Sequence, residues 1–483
     1  MVAVVSMLAV ITALGRTLSI EEFGVYGLAL SFSLYLVFVQ SSVGATAIKH
    51  LAEATDDDAR NRAFSTAMAV YLVFGAAAGL LIAAAGIAIL QLFDIPSELR
   101  DQARLGVVAI GAGTALGWPM TTYQDVLRGT QRFALAAVAE ASAYLSLAGA
   151  ILILLLVVDA PLWILIGLAG SIPLLIGTVS VSIVAVQGLR FHFRRHTLNR
   201  AYTRSFLRFS LYVLASSVTD LIVYSADRAV LAAFRPAATV GLYEAAVRPH
   251  NLVRQLHGSL AQVVLPASAR YLEEGDEMRV RELLLRGTRY MLAATVPFTI
   301  VFMTLAQPIL TAWLGPEFGQ AGTALTIFVS YWLVNASTGV PAIMLTAVGR
   351  VRALAIYSWS IAVLNLTLSL VMTPALGLNG VVLATTIAYV ALAPMLFYLT
   401  FTTLPVSIRE FARRVWLPAY SLAFALASVL LGLRFTVGLE GVSTLVAAAI
   451  ISALAYWVAF YGLWMDPSER EFVRMLVRAQ QKR

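Results

Sequence analysis

One stretch of the chain concentrates groups that could do chemistry. Between Val240 and Leu265, in a run long and apolar enough for a helix, stand Glu244, Arg248, Asn251, Gln255, Gly258 and Gln262. On a 3.6-residue period these fall within an arc of roughly 80°. Arg254, His250 and His257 flank that arc, while Leu252, Leu256, Leu260 and Val263 occupy the opposite side. The preceding apolar run, Phe209–Ala232, carries Ser216, Asp220, Tyr224 and Asp227 at i, i+4, i+8 and i+11. Two chemistries fit. In one, Asp220 and Asp227 pair with Arg248 and Arg254 across a helix hairpin and lock it. In the other, the arginines line a hydrated cavity and meet an anionic substrate, since a planar guanidinium donates bidentately to a diphosphate. The two are compatible if the carboxylates hold the arginines between substrate visits.

Other chemistry is sparse. Glu140 and Asp125 are further carboxylates in apolar surroundings, where charge is costly and usually functional or paired. At Glu140 a proton-coupling role and a satisfied intrahelical carboxylate are both open. The five histidines are scattered without H-E-x-x-H spacing and cysteine is absent, so neither a metal centre nor a disulfide is expected. No G-x-x-x-x-G-K-[ST] occurs, which excludes a P-loop, and no cofactor is expected.

The elements that position these groups follow from composition. Of 483 residues, 60% are hydrophobic and only 12% charged, with mean hydropathy +0.83. A soluble globular chain carries about 25% charged residues. The expected class is therefore all-α and polytopic in a membrane. A bilayer core needs roughly 20 apolar residues per helix, and fourteen runs answer that need, from Val2–Leu14 to Val442–Leu463. The first is short for a span, which reads as a chain start lacking some residues. Leu162–Val186, Tyr290–Leu314 and Ala321–Val340 are read as single spans.

Net charge is +8, and the basic residues are arginines except Lys49 and Lys482. Twenty-six of them fall in connections after even-numbered spans and in the tail, against six after odd-numbered ones. That asymmetry places both termini in the cytoplasm and assigns the charge to the lipid surface rather than to nucleic acid. No connection is long enough for a soluble catalytic domain. At the end, Asp466-Pro467-Ser468-Glu469 reads as N-cap, N1 proline and capping-box glutamate. It opens an amphipathic tail with Phe472, Met475 and Leu476 toward lipid and Arg470, Arg474 and Arg478 toward water.

Short patterns recur at an offset near 220. Gly24-Val25-Tyr26 matches Gly241-Leu242-Tyr243, Arg60-x-Arg62 matches Arg279-x-Arg281, and Gly117-Trp118-Pro119 matches Gly339-Val340-Pro341, with two further matches in order. Six spans per copy give two parallel six-helix lobes with a pathway between them. The expected organisation is an N-lobe at 1–186, a basic linker at 187–208, a C-lobe at 209–401, two extra helices at 402–465 and the tail at 466–483.

Three passages carry a family resemblance. Arg16-Thr17-Leu18-Ser19-Ile20-Glu21-Glu22-Phe23-Gly24-Val25-Tyr26 resembles the first helix–helix turn of Wzx-type polysaccharide flippases. So do Gly129-Thr130-Gln131-Arg132-Phe133 and Asp227-Arg228-Ala229-Val230-Leu231, the latter followed by Val240-Gly241-Leu242-Tyr243 and Leu265-Pro266. The resemblance implies a member of the multidrug/oligosaccharidyl-lipid/polysaccharide exporter superfamily, a transporter rather than an enzyme. It would carry a polyprenyl-diphosphate-linked oligosaccharide from the inner to the outer leaflet of the cell membrane, with membrane lipid and a polysaccharide polymerase or ligase as partners. It also places Arg16 at the cavity mouth. The substrate-binding expectation thus covers Arg248, Arg254, Asn251, Gln255, Asp220, Tyr224, Asp227, Glu244 and Arg16, with Glu140 and Asp125 as coupling candidates. A cation-coupled multidrug exporter is the alternative, weakened by the two extra helices and the arginines. A membrane glycosyltransferase or polymerase would require a long outer loop, which is missing.

Overall fold

A computed structural model describes the backbone of residues 2–91, 95–189, 191–436, 438–439 and 441–480. Side chains at 2–4, 34–35, 215–225, 259, 261–267, 269, 272–273, 472–473 and 476–480 lie outside the description. Every described regular element is helical. The helices are α1 (Val2–Thr17), α2 (Ile20–Glu53), α3 (Asp57–Leu90), α4 (Ser97–Gly129), α5 (Phe133–Leu156), α6 (Leu162–Gly170), α7 (Ile172–Val186), α8 (Arg200–Phe234), α9 (Ala237–Glu273) and α10 (Glu277–Thr304). They continue as α11 (Ala306–Leu314), α12 (Gly322–Ser330), α13 (Trp332–Asn335), α14 (Gly339–Ala347), α15 (Val351–Leu376), α16 (Leu378–Thr403), α17 (Ile408–Phe411), α18 (Leu417–Thr436), α19 (Val442–Leu463) and α20 (Pro467–Gln480).

Among the described residues eight helices are long and apolar enough to cross a membrane, or eleven if each bent pair is one span. Three of the runs read as single spans are bent helix pairs rather than straight helices. Leu162–Val186 breaks by 50° between α6 and α7, Tyr290–Leu314 by 77° between α10 and α11, and Ala321–Val340 by 44° before α14. Each break is followed by a proline in the first turn of the next helix: Pro173, Pro308 and Pro341. A proline there needs no backbone donor, so a new helix starts without cost where continuation of the old one would lose a hydrogen bond.

Helix starts are written locally. Ser19 and Glu22 close a capping box at α2, with Ser19 N–H donating to Glu22 Oε2 at 2.8 Å. Asp56 Oδ1 accepts from Ala59 N–H at α3, and Asn199 Oδ1 accepts from Ala201 and Tyr202 N–H at α8. That last cap starts α8 at Arg200, inside the segment read from sequence as linker. At the tail, Asp466 N–H donates to Glu469 Oε2 at 2.8 Å, as the capping-box reading requires.

The chain divides into two compact units, Met1–Glu244 and Ala245–Arg483. The division falls inside α9. In the first unit α3 and α4 approach closely enough that a Cβ on Gly79 would lie 2.4 Å from the Gly111 carbonyl oxygen, and one on Gly111 2.5 Å from that of Gly79. Helices in lipid associate through such small-residue faces. Also in this unit, the basic segment before α8 is tied to α3, with Arg194 N–H donating to Ser65 Oγ at 3.0 Å.

The second unit buries Leu292, Val296, Val340, Phe411, Leu430 and Phe460 in one core shared by α10, α14, α17, α18 and α19. At one end of that core a ladder of ion pairs joins α10 to later helices. Arg281 forks onto both carboxylate oxygens of Glu410, at 3.1 and 2.6 Å, and Arg414 reaches Glu282 at 3.0 Å. Arg289 and Glu469 are both buried and pair with each other, and Arg289 also donates to the Trp464 carbonyl. Glu469 thus serves twice, as the cap of α20 and as the anion for α10. Met475 is exposed on that tail helix; Phe472 and Leu476 fall among side chains outside the description.

Candidate functional site

The α8–α9 hairpin carries the candidate groups, joined by a turn at Arg235-Pro236. Residues near the end of α8 face residues near the start of α9 at a separation of 16. Asp227, 1% exposed, accepts from the Tyr243 hydroxyl at 3.3 Å. One rung away, Arg228 donates through Nε to Glu244 Oε1, and the pair is buried to 6% and 1% side-chain exposure. The Arg228 guanidinium also lies 5.6 Å from the centroid of the Tyr243 ring. The charge count assigns Arg228 to a connection; it stands inside α8, two turns from its end. Glu244, expected on the substrate stripe, is engaged by that arginine.

These groups sit beside a close helix crossing. A Cβ on Gly24 would lie 2.0 Å from the Ala237 carbonyl oxygen, and one on Gly241 would lie 2.3 Å from that of Ile20. Gly24 and Gly241 are the matched glycines of the repeat, and Ile20 and Ala237 are separated by the same 217 positions. The contact is therefore reciprocal, and α2 and α9 both begin at it. One turn on, a Cβ at Gly27 would fall 2.3 Å from Glu244 Cγ, so the ion pair rests directly on α2.

In the second unit, α9 continues with Arg248, Asn251 and Arg254 half-buried and Gln255 and Gly258 exposed. Its packed side holds His250 and His257, two helical turns apart. His250 stacks on Phe328 with centroids 3.9 Å apart, and its Nε2 lies 2.7 Å from the Tyr331 hydroxyl. His257 packs against Trp332 at 5.1 Å. Sequence reading placed these histidines only as flanks. Their seven-residue spacing is the signal that marks a packed face, and it turns Arg248, Asn251 and Gln255 away from the core of this unit. Asp220 and Tyr224 are among side chains outside the description. Arg16 is exposed in the last turn of α1.

Of the coupling candidates, Asp125 is 4% exposed and its Oδ2 accepts from the Tyr71 hydroxyl at 3.0 Å. That hydroxyl is also 3.3 Å from the Gln40 carbonyl oxygen, and Gly44 closes over both groups. Glu140 pairs with Arg128 of α4 at 3.1 Å, both more than a third exposed, so its partner comes from another helix. No group of three His, Asp or Glu gathers among the described residues. On α15, Asn365 Nδ2 donates to Thr385 Oγ1 at 2.8 Å, while Asn365 Oδ1 and the buried Ser369 and Thr373 hydroxyls have no hydrogen-bond partner among the described residues.

Known proteins share this architecture. An uncharacterized membrane protein, EpsK of Bacillus subtilis (strain 168), is 22% identical over 475 residues, covering 95% of this chain and 92% of its own. The solved structure of the lipid II flippase MurJ, in an inward closed conformation, aligns with a TM-score of 0.69 at 16% identity and covers 95% of this chain and 97% of that one. An inward-facing multidrug resistance MATE family transporter of the MOP superfamily aligns with a TM-score of 0.72 at 14% identity, over 83% of this chain and 94% of that one. A family described as polysaccharide biosynthesis protein matches residues 2–272, more than half of the sequence. The chain belongs to the polysaccharide biosynthesis protein family.

Proposed function

We propose that the chain is a flippase that moves a polyprenyl-diphosphate-linked oligosaccharide from the inner to the outer leaflet of the cell membrane, by alternating access between two lobes. The observation that carries this reading is the stripe of α9 beyond the buried Arg228–Glu244 pair. There Arg248, Asn251 and Gln255 turn away from the packed histidine face, with Arg254 beside them. The arginines bind the diphosphate or an acidic sugar, and Asn251 and Gln255 donate to and accept from sugar hydroxyls. Asp227 and Glu244 hold the hairpin from which the stripe projects; Asp220, Tyr224 and Arg16 are the further substrate-binding candidates that the sequence offers. Membership of a polysaccharide biosynthesis family and the likeness to the lipid II flippase MurJ support the substrate class. Asp125, held by Tyr71, and Glu140, held by Arg128, are the carboxylates proposed to couple the cycle to protons.

The cation-coupled multidrug exporter remains the second reading, favoured by the TM-score of 0.72. That alignment reaches 83% of the chain against 95% for the flippase. The decisive experiment is complementation of a flippase-deficient strain with leaflet-resolved detection of the lipid-linked sugar. Arg248→Ala should lower flipping by about tenfold or more at unchanged abundance, as expected for loss of a charge-assisted hydrogen bond of about 1.5–3 kcal/mol. Arg248→Lys should restore it only partly, because the fork is lost. Normal flipping in both Arg248→Ala and Arg254→Ala would end the binding role, and drug resistance without complementation would favour the second reading.

The proposed topology has both termini cytoplasmic. The chain contains no cysteine, so single thiols report cleanly. Arg195→Cys should label from the cytoplasmic side and Asp159→Cys from the outside. Labelling of both from one side would refute it.

A further inference from the structure

We infer that the first unit contains a slot for the polyprenyl tail of the lipid-linked sugar, rimmed by cations at the start of α8; the inference rests on the flippase reading and deepens it. A cavity of about 400 Å³ lies among α2, α3, α4 and α8. Its walls are hydrocarbon from Leu36, Val39, Phe74, Ala78, Leu211 and Leu214. Two serine hydroxyls reach it, and both are already satisfied. Ser42 donates to the Val39 carbonyl at 2.7 Å, and Ser210 lies 2.9 Å from Thr46 Oγ1. The volume is within the roughly 300–1,000 Å³ of ordinary ligand sites. Cavities with such walls reject water and accept apolar guests.

The rim supplies the charge. The start of α8 lies antiparallel on the end of α2, where His50 packs on Tyr202 and Phe206 and the Lys49 ammonium sits 4.1 Å from the Phe209 ring centroid. Leu207 lines the cavity; Arg204, one turn earlier on the same helix, and Arg208, the next residue, are both exposed. Neither makes an ion pair among the described residues. Arg204 and Arg208, with Lys49 held 3.9 Å from Glu53, thus stand beside a hydrocarbon-walled slot. A sugar-linked diphosphate carries twice the negative charge of a phosphodiester headgroup, so this rim favours the polyprenyl diphosphate over bulk phospholipid. With the head at the rim, the first isoprene units enter the slot and fix the lipid before the sugar is moved.

The test uses the full chain, purified and probed by native mass spectrometry with a synthetic polyprenyl diphosphate in competition with phosphatidylglycerol. Ala77→Trp and Leu211→Trp fill the slot from exposed lining positions, which limits damage to folding. Each should reduce retention of the polyprenyl diphosphate about tenfold without changing phosphatidylglycerol binding. Val371→Trp, at a position 68% exposed on α15, should change neither. Joint replacement of Arg204 and Arg208 by alanine should weaken the diphosphate while leaving an uncharged polyprenol bound. Unchanged retention in both filled variants, or equal competition by phosphatidylglycerol in the parent, would overturn the slot. Filled variants that flip at the parental rate would remove the slot and leave the flippase reading standing. A parent that retains the lipid and loses it on filling, yet flips no sugar, would keep the slot and remove the flippase reading.

Discussion

Glu244→Ala is expected to cost the folded protein about 3–5 kcal/mol, because it leaves the buried Arg228 guanidinium without its carboxylate. Arg228→Ala should cost a similar amount for the converse reason. The joint change Arg228→Met with Glu244→Leu should restore most of the loss, since a buried ion pair replaced by hydrophobes of similar volume is often neutral. Thermal unfolding of the purified protein in detergent, with abundance in the membrane, reads all three. The experiment also decides between the two chemistries open for this stripe. If Glu244→Ala keeps parental stability but loses transport, Glu244 belongs with the substrate contacts. If stability falls and the paired hydrophobes rescue it, Glu244 is a fastening of the hairpin.

Gly241→Leu is expected to abolish transport while sparing much of the protein's abundance. A Cβ at this position meets the Ile20 carbonyl at 2.3 Å, and the obstacle is backbone, which has no rotamer to escape into. The starts of α2 and α9 must therefore part, and on the flippase reading proposed above the variant cannot re-form this crossing during the cycle. Because Val25 is fully buried, a thiol introduced there should gain reactivity toward a soluble maleimide in Gly241→Leu. Gly24→Val should do the same from the opposite helix. Parental flipping in either variant, or a Val25→Cys thiol that stays unreactive, would show that the crossing opens nowhere in the cycle and is only packing.

Much of this was readable in the sequence because apolar length and helix capping are local properties. Asp466 with Glu469 announced its helix start and closes as expected, while the Ser19–Glu22 box, equally local, is seen in the fold. The breaks were less legible, since Pro173, Pro308 and Pro341 were each averaged into a continuous apolar run. The candidate site was legible as a stripe but not as a set of pairings. Helical periodicity shows which residues share a face, and it says nothing about a partner 16 positions away across a turn. Arg228 took Glu244, and Tyr243 took a place beside Asp227, because the hairpin brings equal distances from the Arg235-Pro236 turn into register. The repeated Gly-x-Tyr motif was visible as a similarity. That its two copies touch one another is a property of the folded chain.

The pairing of Arg289 with Glu469 has a consequence for how the protein is made. The two residues are separated by 180 positions. At the usual elongation rate of about 5–20 residues per second, a segment of that length takes roughly 9–36 s to synthesise. Throughout that interval α10 has emerged from the ribosome and its arginine lacks the anion it will finally be buried against. The second unit thus cannot complete its ion-pair ladder during synthesis. Its last fastening waits for the tail, and a nascent chain arrested before Glu469 would present an unfinished helix to the machinery that inserts and inspects membrane proteins.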